Sequence, residues 1–257
     1  EGEDGGCKAE VIEIIATNYK APSIQLEKEA EDKDDEGTEE RRQILFTASH
    51  IWKQFKEGQN GRGVPEGMAR KESWQILMEG SSTIAEVITN NWHDIHKEKN
   101  YPGTFIQSEG CQIPKGNNKQ RCKAVRVINK LCPAGKAFTK MIWKRCETTK
   151  KDFSFGFTKG RRREQAILIA NTTKWRLSKQ GLSYTQSMHD VANAFPSMSH
   201  NTLDDMLEKI GKPEDVPFLK ARHNESVICI PTPQGEKLYV KAGQGGLQGD
   251  SAMAPEF

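Results

Sequence analysis

The chain has 257 residues, with 38 Lys and Arg against 35 Asp and Glu for a net charge of +3. No apolar run approaches the ~20 residues of a membrane-spanning helix and no charged-then-apolar leader opens the sequence, so no membrane partner is expected. The cysteines (Cys7, Cys111, Cys122, Cys132, Cys146, Cys229) form no Cys-x-x-Cys pair and no zinc spacing, which points to reduced structural thiols in an intracellular setting, cytoplasmic or nuclear.

Residues 1–40 hold 14 Asp and Glu against 4 Lys, a balance of −10 that leaves +13 for residues 41–257. This acidic stretch is expected to lack a stable fold of its own, as a linker or the frayed end of a fragment would. The chain opens at Glu1 without a Met and stops at Phe257 in what reads as the start of a helix, so a piece of a longer protein is expected. Residues 41–108 read as a helical N-terminal extension. There Ile44, Leu45, Ala48, Ile51, Trp52 and Phe55 recur at helical spacing toward a stop at Gly58. A second helix starts from a Ser82 cap and presents Ile84, Val87, Ile88, Trp92 and Ile95 on one side.

From residue 109 the pattern changes. A hairpin is expected, its first strand ending at Ile113 and its second running Lys123 to Ile128, about the turn-rich tip Lys115-Gly116-Asn117-Asn118-Lys119. Gly156 to Gly160 reads as a loop. Arg161 to Lys179 reads as a helix with Ala166, Ile169, Ala170, Thr173 and Leu177 inward, ended by Gly181. Leu182 to Asp190 suits a strand, and Ser199 can cap a helix that buries Leu203, Met206, Leu207 and Ile210 before Gly211. Val227 to Ile230 and Lys237 to Val240 form a second hairpin about Pro233-Gln234-Gly235. Gly243 to Phe257 is a glycine-rich loop entering a helix at Asp250 or Ser251. Helices and antiparallel hairpins interleave without a β-α-β repeat, so the expected class is α+β.

Cys111 to Arg176 carries 18 Lys and Arg against 3 acidic residues, or +15. So basic a block repels itself unless a polyanion lies against it, and counterion release makes nucleic acid the usual partner. A solvated basic face is the plainer alternative.

The stretch Asp190-Val191-Ala192-Asn193-Ala194-Phe195 ends a strand-like run in a carboxylate and places an aromatic ring five residues later. Nucleotide polymerisation needs divalent cations held by carboxylates, which a strand end places rigidly. A bulky ring under the sugar excludes a 2′-hydroxyl and so favours deoxynucleotides. A core aromatic beneath the strand would look the same.

Asp190 to Phe195, with Ser197 and His200-Asn-Thr-Leu203, resembles the first catalytic motif of reverse transcriptases, especially those of non-LTR retrotransposons and group II introns. Gly246-Leu-Gln248-Gly249-Asp250 with Pro255 and Phe257 is similar to that family's second palm motif. Ile113-Pro114-Lys115, Arg126-Val-Ile128 and Lys136 match the order of its fingers segments. Phe155-Gly156-Phe157-Thr158-Lys159-Gly160-Arg161 followed by Glu164-Gln165-Ala166-Ile167 matches the segment preceding the palm. The resemblance covers roughly residues 109–257 and implies right-hand polymerase fingers with an incomplete palm.

It further implies that Asp190 binds both catalytic metals, magnesium or alternatively manganese, helped by the backbone carbonyl of Val191. Phe195 would be the steric gate. Lys115 and Arg126 would contact the incoming deoxynucleoside triphosphate, and Gln248 and Gly249 would line its pocket. Arg161 would lie near an RNA template paired with a DNA primer. Lys115 could equally be a solvated turn residue, and Gln248-Gly249 a helix-entry turn capped by Asp250. The sequence departs from the family at Ser251, where proline is common, and at Glu256, where leucine is. It contains no Tyr-x-Asp-Asp; Asp204-Asp205 falls within a helix pattern and Asp34-Asp35 in the acidic segment. The expectation is therefore a reverse-transcriptase fragment that binds nucleic acid and does not itself polymerise. The alternatives are a non-catalytic basic nucleic-acid-binding module or domesticated remnant and, in the same chemistry, an RNA-dependent RNA polymerase.

Overall fold

The computed structural model describes residues 24–25, 46–114, 125–147, 153–156, 160–189, 197–232, 235–247 and 250, the backbone alone at 24, 25, 125 and 126. The chain divides into two compact units, one formed by residues 1–146 with 195–257 and the other by 147–194.

In the first unit, a short strand β1 (Ile24–Gln25) pairs antiparallel with β2 (Asn100–Tyr101). Between them lie α1 (Ala48–Lys56), α2 (Lys71–Gly80) and α3 (Ser82–Glu98). Helix α1 starts where Thr47 Oγ1 accepts from the His50 N–H at 3.2 Å, and its chain turns away through Gly58 at φ +84°, where a side chain would be strained. Helix α3 is capped one residue earlier than expected, by Ser81, whose Oγ accepts from the Ile84 N–H at 3.3 Å. Trp92 and Ile95 face inward as expected, but Val87 is 62% exposed. Helix α2 carries no strong sequence signal and was not anticipated.

The chain continues through α4 (Gly103–Ile106), β3 (Gln107–Pro114), β4 (Val125–Leu131) and α5 (Pro133–Trp143). Helices α4 and α5 pack closely because position 135 is glycine: a Cβ there would lie 2.8 Å from the Phe105 backbone. The core joins α1–α3 to α5 and to a later helix through aromatic rings. Phe46 stacks on Phe138 at 5.1 Å and meets Trp92 edge-on at 5.6 Å, while Tyr101 meets Phe218 edge-on at 5.3 Å. All five of these side chains are buried, each contributing apolar area that drives folding.

The unit is completed by α7 (His200–Ile210), α8 (Val216–Asn224), β5 (Val227–Pro231) and β6 (Lys237–Lys241). Leu203 and Leu207 are buried and Met206 and Ile210 pack against the core, as the helical spacing predicted. The sheet runs β4-β3-β5-β6. Its two hairpins are antiparallel and are joined by a parallel pairing of β3 with β5, Gln107 opposite Val227. A parallel pair needs a long crossover, and here the chain between β3 and β5 supplies it. Both expected hairpins are present: β4 begins two residues and ends three residues later than expected, and β5 and β6 each run one residue further.

The second unit contains α6 (Arg163–Lys179), which ends as expected at Gly181, φ +69°, with Leu182 N–H donating to the Leu177 carbonyl at 3.0 Å. Its expected inward face does not form. Ala166 and Leu177 are half-buried, whereas Ile169, Ala170 and Thr173 are exposed. Ile167, Leu168 and Ile169 are consecutive, so they point around the helix rather than along one stripe, and no second element covers them among the described residues of this unit. The expected strand from Leu182 is likewise absent through His189, while Asp190 lies outside the described residues. A strand is stable only with a hydrogen-bonded neighbour, and the described part of this unit offers none.

Candidate nucleotide site

The first hairpin fixes one element of the site. Its register sets Ile113 opposite Arg126 and Pro114 opposite Val125, so the Arg126 backbone lies one residue from the described end of the ladder. The hairpin's flank is held by Glu109, which accepts from Lys130 Nζ at 2.7 Å and from the Glu66 N–H at 2.9 Å. Burial works against the Glu109 carboxylate, but these hydrogen bonds hold it below its ordinary range.

The second element is the connection leaving β6. The Ala242 N–H donates to the Ser226 carbonyl at 3.0 Å, and the Gly245 N–H to the Met198 carbonyl at 2.6 Å. The Gly245 carbonyl accepts from His200 Nε2 at 2.9 Å, and its φ of +70° makes glycine the fitting residue. Leu247 is buried, and Asp250 Oδ2 accepts from Arg222 Nε at 2.6 Å, both side chains being 5% exposed. Nη1 of Arg222 donates to the Phe105 carbonyl, and its buried Nη2 has no hydrogen-bond partner among the described residues. Burial opposes the guanidinium's charge, yet Asp250 offsets it and holds Arg222 above its ordinary value. Nearby, burial with Arg222, Arg62 and Lys140 draws the Lys136 ammonium down, against the pull of Asp250.

Beside this connection, His223 Nε2 donates to Asp204 Oδ1 at 2.8 Å, and the rings of His200 and His223 are 5.0 Å apart. Asp204 also accepts from Asn224 Nδ2 at 3.1 Å. The Asp204-Asp205 pair thus sits on α7, and Asp204 is bound to side chains of α8.

Of the residues that the sequence singles out, Lys115, Asp190, Val191, Phe195, Gln248 and Gly249 lie outside the described residues. Arg126 is placed by its backbone alone. Arg161, in the second unit, donates from Nη1 to the Ser154 carbonyl at 2.7 Å and lies 5.8 Å over the Phe155 ring. It organises the turn before α6, which presents Arg162, Arg163, Lys174, Arg176 and Lys179 to solvent together with Trp175, 60% exposed. Among the described residues no group of three or more His, Cys, Asp or Glu side chains is arranged to hold a metal ion, and no helix is long and apolar enough to cross a membrane.

Sequence reasoning passed over Arg222, because helix α8 was not anticipated. The signal was Asp215-Val216-Pro217, with proline in the first turn, where its missing N–H is harmless.

Compared with known proteins, the chain matches no family model and no curated protein.

Proposed function

We propose that the chain is the fingers and partial palm of an RNA-directed DNA polymerase, which in its complete form adds deoxynucleotides to a primer 3′-hydroxyl on an RNA template. The observation that supports this best is the register of the β3–β4 hairpin, which sets Arg126 opposite Ile113 near the described end of the ladder. A cation at position 126, with a second at position 115 as the resemblance implies, suits the phosphate oxygens of an incoming triphosphate. The four sequence motifs, in the reverse-transcriptase order between residues 109 and 257, supply the chemistry that the hairpin alone does not specify.

On this reading Lys115 and Arg126 hold the triphosphate, Gln248 and Gly249 line the base and sugar pocket, and Phe195 excludes a 2′-hydroxyl. Asp190 and the Val191 carbonyl would hold magnesium, which when bound activates the primer hydroxyl and neutralises the triphosphate. A single carboxylate holds two divalent cations weakly, so the 257 residues bind nucleic acid without extending a primer. The exposed cations of α6 are equally what a non-catalytic binding module would use.

The test is steady-state extension by the full-length protein. Arg126→Ala is expected to raise KM for deoxynucleoside triphosphates with primer–template affinity unchanged. Phe195→Val is expected to raise incorporation of ribonucleotides. Unchanged KM and sugar selectivity in both variants would contradict the proposal, and salt-sensitive nucleic-acid binding without any extension would favour the binding module.

A further inference from the structure

We infer that α6 is a platform for single-stranded nucleic acid, on which an unpaired base stacks against Trp175 while Lys174, Arg176 and Lys179 hold the phosphates around it. The inference rests on the nucleic-acid-binding part of the reading above and gives that part a surface, within the second unit alone.

Helix α6 has 17 residues, a length of about 25 Å, and none of them is buried. Trp175 is 60% exposed, whereas the other four tryptophans of the chain are buried or half-buried. An indole left in water is a large apolar area without a partner. Its neighbours are exposed cations. Lys174 and Arg176 lie about 100° to either side of it around the helix, and Lys179 lies one turn beyond it on the same face. Among the described residues the only ion pair of α6 joins Arg163 to Glu164, at 3.9 Å, so the three cations around Trp175 are left for a ligand.

The kind of ligand follows from the pattern. A helix that docks on a protein core presents one apolar stripe, but Ile167, Leu168 and Ile169 run around α6, and the indole stands between two charges. Against an apolar partner those charges would be buried unpaired, whereas a phosphate backbone neutralises them and releases its counterions. Stacking needs only one exposed ring face and one free base face. In a duplex the base faces are already stacked on one another, so the platform selects unpaired strands.

The test compares three ligands by fluorescence anisotropy and competition: a single-stranded RNA of about 12 nucleotides, the same sequence as a duplex, and inorganic polyphosphate. Trp175→Ala is expected to weaken binding of the single strand about tenfold and of the other two less than about twofold, and Trp175→Phe to recover most of the loss. Lys174→Gln combined with Lys179→Gln should weaken all three alike. Circular dichroism of each variant separates lost contacts from lost helix.

An unchanged single-strand Kd in Trp175→Ala overturns the assignment, as does an equal loss for all three ligands in that variant, which would make the indole a prop for the helix. Self-association of the wild type that Trp175→Ala abolishes gives the face to a protein contact and overturns it too. A wild type that binds none of the three ligands overturns the nucleic-acid reading itself.

Discussion

Asp215 is wholly buried, and its Oδ1 accepts from Nε2 of His96, a residue 119 positions earlier, at 2.7 Å. Arg145 Nη1 donates to the same oxygen at 3.1 Å, while its Nη2 pairs with Glu214 at 2.5 Å. Three segments, α3, the end of α5 and the start of α8, therefore converge on one carboxylate. The His96 ring also stacks on Phe218 at 5.3 Å, so the polar knot is continuous with the aromatic core.

Asp215→Ala should accordingly destabilise the first unit by about 3–5 kcal/mol, the usual cost of removing one partner of a buried charge pair. Urea unfolding followed by tryptophan fluorescence measures this through Trp92, which is buried in the same core. A loss below about 0.5 kcal/mol, the scale of an ordinary surface substitution, would show that the knot is not a structural junction.

His223 gives a pH dependence. Burial pushes its imidazole below its ordinary 6.5, aided by His200 and Lys220 and opposed by the hydrogen bond to Asp204. The unfolded chain then binds the proton more readily than the folded one, so stability is full above about pH 6.5 and is lost as pH falls toward the lowered folded value. Between pH 7.5 and 5.5 the wild-type urea midpoint should fall, and His223→Gln should flatten that fall. An equal slope in both proteins would contradict the assignment.

Helix α6 gives a binding prediction. Trp175 is 60% exposed amid Lys174 and Arg176, an arrangement on which a base can stack. Trp175→Ala should weaken binding of single-stranded RNA by about 1–3 kcal/mol, and Arg176→Ala should lower the salt slope of log Kd by about 1. Fluorescence anisotropy at several salt concentrations separates the two effects. Unaltered affinity and slope would remove α6 from any nucleic-acid interface.

Much of the fold was legible where apolar spacing is regular. Leu203 and Leu207 announced α7, and the turn residues around Gly235 announced the second hairpin. Helices α2 and α8 were missed: α2 has neither a side-chain cap nor a clean apolar stripe, and α8 is buried on several sides, which erases its periodicity. The strand expected to end at Asp190 failed through His189 for a different reason. Alternation along a sequence describes one strand, but a strand forms only against another, and its described neighbours supply no ladder. Of the candidate site, the sequence marks Arg126 and the Gly246–Asp250 motif, of which the Arg126 backbone, Gly246, Leu247 and Asp250 are among the described residues. The Arg222 contacts were not legible, because their partners, Phe105 and Asp250, lie far from it in sequence.

The most direct test is primer extension on an RNA template, with deoxynucleoside triphosphates and magnesium, by the full-length protein as wild type and as Asp190→Asn. The expected result is extension by the wild type that Asp190→Asn abolishes, with primer–template Kd unchanged. Extension that survives Asp190→Asn, or nucleic-acid binding by a wild type that extends nothing, would contradict the polymerase reading.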